Sequence, residues 1–337
     1  MTRPWGRAAA LAAGVAVAAL AARPVVRAAR RQRTALAAAD RRLLGPLALV
    51  PMVLHRALLP LLRQSPPRAV RPGVRTERRT VPGLAGGPDV DVELYHPAAR
   101  AAPSGVLVWV HGGGYVLGSV AIGDPFCSDV AAEAGVLVVS VDYRLAPEHP
   151  FPAPLDDVAA ALAWVHAHAD DLGIDPARVA VGGDSAGGGL AAALAQRAHD
   201  EGLPVAFQLL VYPMLDDRTV LRAERDGEWA LVWTPPANRF GWTAYLGHEP
   251  GERTPAPYAA PARRADLSGL PPAWVGVGDI DLFHAEDVEY ARRLREAGVA
   301  VDLDVVPGMF HGGDRSAAAP ATGFRRRARE ALRAAIG

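Results

Sequence analysis

Lysine is absent from the whole 337-residue chain, and cysteine occurs once, as Cys127. A lone cysteine excludes an intramolecular disulfide framework and any cysteine-rich zinc or iron–sulfur site. The lack of lysine excludes a phosphate loop of the P-loop type, which ends on that residue. No apolar run reaches the roughly 20 residues of a simple transmembrane helix. The longest, Ala8–Ala22, has fifteen. Net charge is also missing, but only as a sum. Residues 1–80 carry sixteen Arg against Asp40 and Glu77, and residues 81–337 carry twenty Arg against thirty-four acids. A basic arm thus precedes an acidic body. A body of that sign is a poor nucleic-acid partner, because such binding depends on neutralising phosphates.

What is present divides into two parts. In residues 1–73, Arg3 and Arg7 precede the Ala8–Ala22 run, and Arg23, Arg27, Arg30, Arg31 and Arg33 follow it. Those trailing charges oppose translocation and favour a cytoplasmic or membrane-associated location over secretion. Leu43–Leu62 is apolar but broken by Pro46, Pro51 and Pro60. It reads as amphipathic material covering either a lipid surface or a pocket mouth. A membrane-facing segment within residues 1–62 is therefore an expectation. Ser65–Gly73 is a linker rich in Pro and Arg.

Residues 74–337 alternate short β-rich runs with helical stretches. The runs are 90–95, 106–110, 136–141, 179–181, 207–211, 274–277 and 301–306, and the helices 155–168, 186–199, 285–297 and 321–336. Several runs lack polar alternation, as in strands buried on both faces of a mostly parallel sheet. The expected fold is an α/β layered domain. An aromatic- and proline-rich stretch, about 216–264, interrupts the rhythm as an insertion.

Three glycine-bearing segments carry chemistry. Gly183-Asp184-Ser185-Ala186-Gly187 follows a strand and opens a helix. This is the setting in which a serine hydroxyl is lifted clear of a sheet on a tight turn. His111-Gly112-Gly113-Gly114 ends another strand. There the amides of Gly113 and Gly114, with that of Ala186, would face a developing oxyanion. His111 reads as a residue tying this loop down, and Tyr115 as a pocket residue. A serine nucleophile needs a base and an orienting carboxylate, in the chain order Ser, acid, His. His248, His284 and His311 lie downstream, and His311 sits in a loop after the last strand run. The acid is Asp279 or Asp281, and spacing alone does not choose.

These blocks, with Asp142-Tyr-Arg-Leu-Ala-Pro-Glu148-His-Pro-Phe-Pro152, resemble the bacterial hormone-sensitive lipase family of α/β-hydrolase esterases over roughly residues 80–337. The resemblance implies an α/β-hydrolase fold, with a mostly parallel eight-stranded sheet, flanking helices and a helical cap drawn from Leu43–Leu62 and Asp216–Gly247. It implies Ser185 as nucleophile, His311 as base and Asp281 as acid. It also implies Gly113, Gly114 and Ala186 as oxyanion donors, Asp184 as support and Glu148 as a buried supporting carboxylate. One departure is Ala285, where a carboxylate is usual. The expected partner is a small ester of short or medium acyl length, with no metal and no organic cofactor. Amide or acetyl-group hydrolysis by the same triad and a noncatalytic binding role stay open as alternatives. Nothing in the sequence sets an oligomeric state.

Overall fold

The computed structural model describes residues 32–45, 52, 54–63, 68–226 and 231–337. Eight strands form one sheet: β1 Val74–Val81, β2 Val90–Pro97, β3 Ser104–Val110, β4 Leu137–Asp142, β5 Ile174–Asp184, β6 Phe207–Val211, β7 Ala273–Gly278 and β8 Val301–Val306. Their order is β1-β2-β4-β3-β5-β6-β7-β8. The β1–β2 and β2–β4 pairs are antiparallel and the others parallel.

Among the described residues the helices of eight residues or more are α1 Val120–Ala134, α2 Ala153–Ala167, α3 Ala186–Glu201, α4 Thr219–Asp226, α5 Pro235–Leu246, α6 His284–Glu296 and α7 Ala319–Ile336. The side-chain period of two explains the layering. Along β3, Val106, Val108 and Val110 join the core beneath α2 and α3, while Leu107 and Trp109 join the core beneath α1 and α7. Every β3 residue is buried, so the strand lacks the polar alternation of a sheet with a wet face. A third core lies between β7, α3 and α6. This three-layer α/β-hydrolase sheet brings the C-terminal ends of β3, β5, β6 and β7 to one edge, where the loops that carry the chemistry emerge.

The membrane expectation is overturned. Among the described residues no helix is long and apolar enough to cross a membrane. Ala8–Ala22 lies outside them. Among its described residues Leu43–Leu62 shows no amphipathic helix lying on a surface. The regular structure described in and beside it is a short turn at Arg41–Leu43, another at Arg56–Leu58 and a single helical turn, Leu59–Leu62. Leu59 is fully buried in the hydrolase core. The next residue, Arg63, donates to the carbonyls of Val116 and Ala146, at 2.8 Å each, and to Glu148. The segment is a strap over the body, and neither a membrane-facing role for residues 1–62 nor a membrane-associated location follows from it.

Candidate active site

Ser185 stands between the end of β5 and the start of α3, with φ 57° and ψ −121°. A non-glycine residue in that region carries about 1–3 kcal/mol of strain and needs surroundings that enforce it. They are present: the Ser185 amide donates to the Val211 carbonyl at 2.9 Å, and its carbonyl accepts from Met214 at 2.9 Å and Gly189 at 3.0 Å. The flanking glycines are required by contact. A Cβ on Gly183 would lie 2.4 Å from the Gly187 backbone, and one on Gly187 would lie 2.1 Å from the Val110 carbonyl oxygen.

The structure brings Ser185, His311 and Asp281 together. Ser185 Oγ is 2.9 Å from His311 Nε2, and His311 Nδ1 is 2.9 Å from Asp281 Oδ2. The other Asp281 oxygen accepts from the Phe283 amide at 2.9 Å, which fixes the carboxylate. All three residues are buried. Asp279 is elsewhere: it is exposed and accepts from the Gly308 amide at 2.7 Å. Of the two carboxylates that spacing left open, only Asp281 touches the imidazole.

The ring of His311 is held by aromatic edges that the sequence reading did not assign. Phe283 meets it edge-on at 5.1 Å, Tyr212 at 4.8 Å, and Trp233 lies at 6.4 Å. Each comes from a different loop, and no spacing rule connects them.

The glycine loop after β3 packs on the Ser185 turn through Asp184, which accepts from the Gly112 amide at 2.8 Å and from Arg315 at 3.0 Å. Among the described residues the amides of Gly113, Gly114 and Ala186 donate to no other protein group. His111 is fully buried, stacks on Tyr143 and donates from Nδ1 to the Gly112 carbonyl at 2.8 Å. Burial pushes its pKa down, so the ring is a neutral brace. Tyr115 is also buried. It stacks on Tyr245 of α5 at 4.0 Å and donates to the Met214 carbonyl, which anchors the loop to the insertion.

Glu148 departs from its implied burial. Its side chain is 48% exposed and pairs with Arg63 at 2.7 Å. A carboxylate that is buried is Glu286, on α6. It accepts from the amides of Leu215 and Asp216 and from the Thr219 hydroxyl. It thereby fixes the start of the insertion after β6. Burial, reinforced by the charge of Asp216, pushes its pKa up to about 8. The folded protein keeps a proton that the unfolded chain releases near pH 4.5, so each rise in pH between about 4.5 and 8 favours unfolding. Urea unfolding at pH 5.5, 7 and 8.5 checks this. Wild type loses stability across the series, and Glu286→Gln loses less, because the glutamine does not titrate. Equal slopes would show that Glu286 does not hold the proton.

Comparisons with known proteins agree with this geometry. Residues 107–314 match the family described as the alpha/beta hydrolase fold. The chain is 42% identical over 255 residues to the carboxylesterase NlhH of Mycobacterium tuberculosis, covering 74% of this chain and 79% of that one. It is 37% identical over 240 residues to an ethyl acetate hydrolase of Pseudomonas putida, covering 67% and 71%. Among solved structures, a bacterial heroin esterase superposes with a TM-score of 0.81 at 39% identity, covering 89% of this chain and 98% of the other. The narrower resemblance to the bacterial hormone-sensitive lipase family is corrected by these matches. The matching family is the α/β-hydrolase fold at large, and these relatives carry the names of esterases and ester hydrolases, several of them mycobacterial. The chain belongs to the α/β-hydrolase fold family.

Proposed function

We propose that this enzyme hydrolyses small carboxylic esters by passing the acyl group first to Ser185 and then to water. The observation that carries the reading is the hydrogen-bonded path from Ser185 Oγ through His311 to Asp281, with 2.9 Å at each link. Ser185 attacks the ester carbonyl while His311 Nε2 takes the hydroxyl proton. Asp281 holds the Nδ1–H tautomer and stabilises the imidazolium. The amides of Gly113, Gly114 and Ala186 receive the oxyanion, where preorganised donors in a water-poor site matter most. His311 then protonates the departing alcohol and later activates the water that releases the acid. The names of the relatives, carboxylesterase and ethyl acetate hydrolase among them, support the same chemistry.

The body over 74–337 supplies the triad. The strap and the insertion at about 216–264 act as its cap, and Trp233 of that insertion limits the acyl group. A Cβ on Gly114 would lie 2.0 Å from the Trp233 ring, and Gly241 sits behind it. The indole is therefore wedged against the oxyanion loop within 6.4 Å of His311.

A panel of p-nitrophenyl acetate, butyrate, octanoate and laurate, run beside p-nitroacetanilide, tests both points. Wild type should favour the short esters and cleave the matched amide far more slowly. Trp233→Ala should move the optimum of kcat/KM to longer chains by about 1–3 kcal/mol of discrimination, the worth of a changed apolar contact. Amide turnover comparable to acetate turnover would favour an amidase instead, and an unchanged chain-length profile would remove Trp233 from the acyl site.

A further inference from the structure

Trp109, the penultimate residue of β3, lies on the side of the sheet opposite the α2–α3 layer, and only 2% of it is exposed. Its indole N–H has no partner. A buried donor left unpaired costs about 1–3 kcal/mol, so it calls for an explanation. The nitrogen points at Gly123 of α1, where a Cβ would lie 3.2 Å from it. Trp109, Gly123 and Phe126 help to line a cavity of about 210 Å³.

The walls are of two kinds. Phe126, whose ring is 4.6 Å from that of Trp109, and Phe324 make an apolar slot. Arg68, Arg315 and Arg325 line the same cavity. Its carboxylates are already engaged. Asp129 pairs with Arg71 and Asp184 with Arg315. Asp314 accepts from the Tyr212 hydroxyl at 2.8 Å; burial raises its pKa, and the charges of Arg315 and Arg325 oppose that shift. Arg68 and Arg325 form no ion pair among the described residues, and Arg325 spends one donor on the Ser316 carbonyl. Positive charge is left over beside an aromatic slot and an idle N–H donor. None of Ser185, His311, Asp281, Gly113 or Gly114 lines this space.

We propose that the cavity is a second ligand site, for a small monocarboxylate with a flat apolar body. The carboxylate lies among the guanidinium groups, the body lies between the aromatic rings, and the Trp109 N–H donates to a ligand oxygen. The volume suits an aryl or short aliphatic acid, the chemical class that ester hydrolysis releases. The site touches the oxyanion loop through one relay: Arg315 pairs with Asp184, whose other oxygen holds the Gly112 amide. A bound carboxylate competes for Arg315 and loosens that hold, so occupancy lowers kcat and leaves KM nearly unchanged. This kinetic arm rests on the proposed esterase activity, and the binding arm does not.

The test is calorimetric titration of benzoate into the full chain, before and after Ser185 is blocked with a phosphonate ester. One benzoate per chain should bind in both cases. The uncharged analogue benzamide should bind at least tenfold more weakly. Gly123→Ala, which puts a methyl group beside the indole nitrogen, and the double variant Arg68→Gln/Arg325→Gln should each weaken benzoate at least tenfold, with thermal unfolding confirming that both are folded. Absence of saturable binding, equal affinity for benzamide, loss of binding on blocking Ser185, or unchanged affinity in the folded variants would each overturn the proposal. If the phosphonate fails to react, the esterase reading fails by itself. The benzamide comparison and the variants on untreated protein then decide the binding site.

Discussion

Replacing Ser185 with Ala is expected to lower kcat for p-nitrophenyl acetate by roughly 10⁴–10⁶-fold, the range seen when a triad nucleophile is removed. The change deletes a single oxygen, the one 2.9 Å from His311 Nε2. Alanine carries the same Cβ into the same positive φ, and the backbone bonds to Val211, Met214 and Gly189 remain. The fold is therefore retained, and circular dichroism and the urea midpoint should match wild type. The burst of p-nitrophenol should vanish together with steady turnover, because both need the acyl-enzyme. A folded variant that keeps more than a few per cent of wild-type kcat would mean that another group is acylated.

Asp281→Asn is expected to lower kcat by about 10⁴-fold, and Asp279→Asn by no more than a few-fold. The asparagine at 281 can still accept from the Phe283 amide, so the local turn survives. Its NH₂ group, however, faces His311 Nδ1 and forces the proton onto Nε2, where the ring can no longer take one from Ser185. At 279 the side chain only ties down the Gly308 amide from an exposed position. An asparagine there still accepts from that amide through its Oδ1, so the loss is the charge assistance of one surface hydrogen bond, below about 1 kcal/mol of stability. Stopped-flow acylation rates for the two variants separate the carboxylates. A large loss in Asp279→Asn with a mild one in Asp281→Asn would reverse the assignment.

The central strands were legible because burial on both faces leaves continuous apolar runs, as at Val106–Val110. β1 was not, because Val74-Arg-Thr-Glu-Arg-Arg-Thr-Val81 is an edge strand that exposes most of its side chains and reads as a charged loop. α1 was missed as well, since Gly123 and Pro125 interrupt its helical pattern; Gly123 borders the cavity beside the Trp109 indole nitrogen.

Motifs placed Ser185, the glycine loop and His311, because their chemistry demands fixed local spacing. The choice between Asp279 and Asp281 was not local. The two lie two residues apart on one turn, and only the path of that turn decides which faces the imidazole. The environment of Glu148 depends in the same way on Arg63, 85 residues earlier in the chain. The strap that carries Arg63 looked like membrane material because its apolar residues carry no sign of which surface they cover.

The most direct measurement is peptide mapping by mass spectrometry after inactivation with p-nitrophenyl diethyl phosphate, carried out on wild type and His311→Ala. One diethylphosphoryl group per chain, on the peptide holding Ser185, formed at least a thousandfold more slowly in the variant, is the predicted result. Complete inactivation with the label on any other residue, or equally fast labelling of Ser185 without the imidazole, would contradict it.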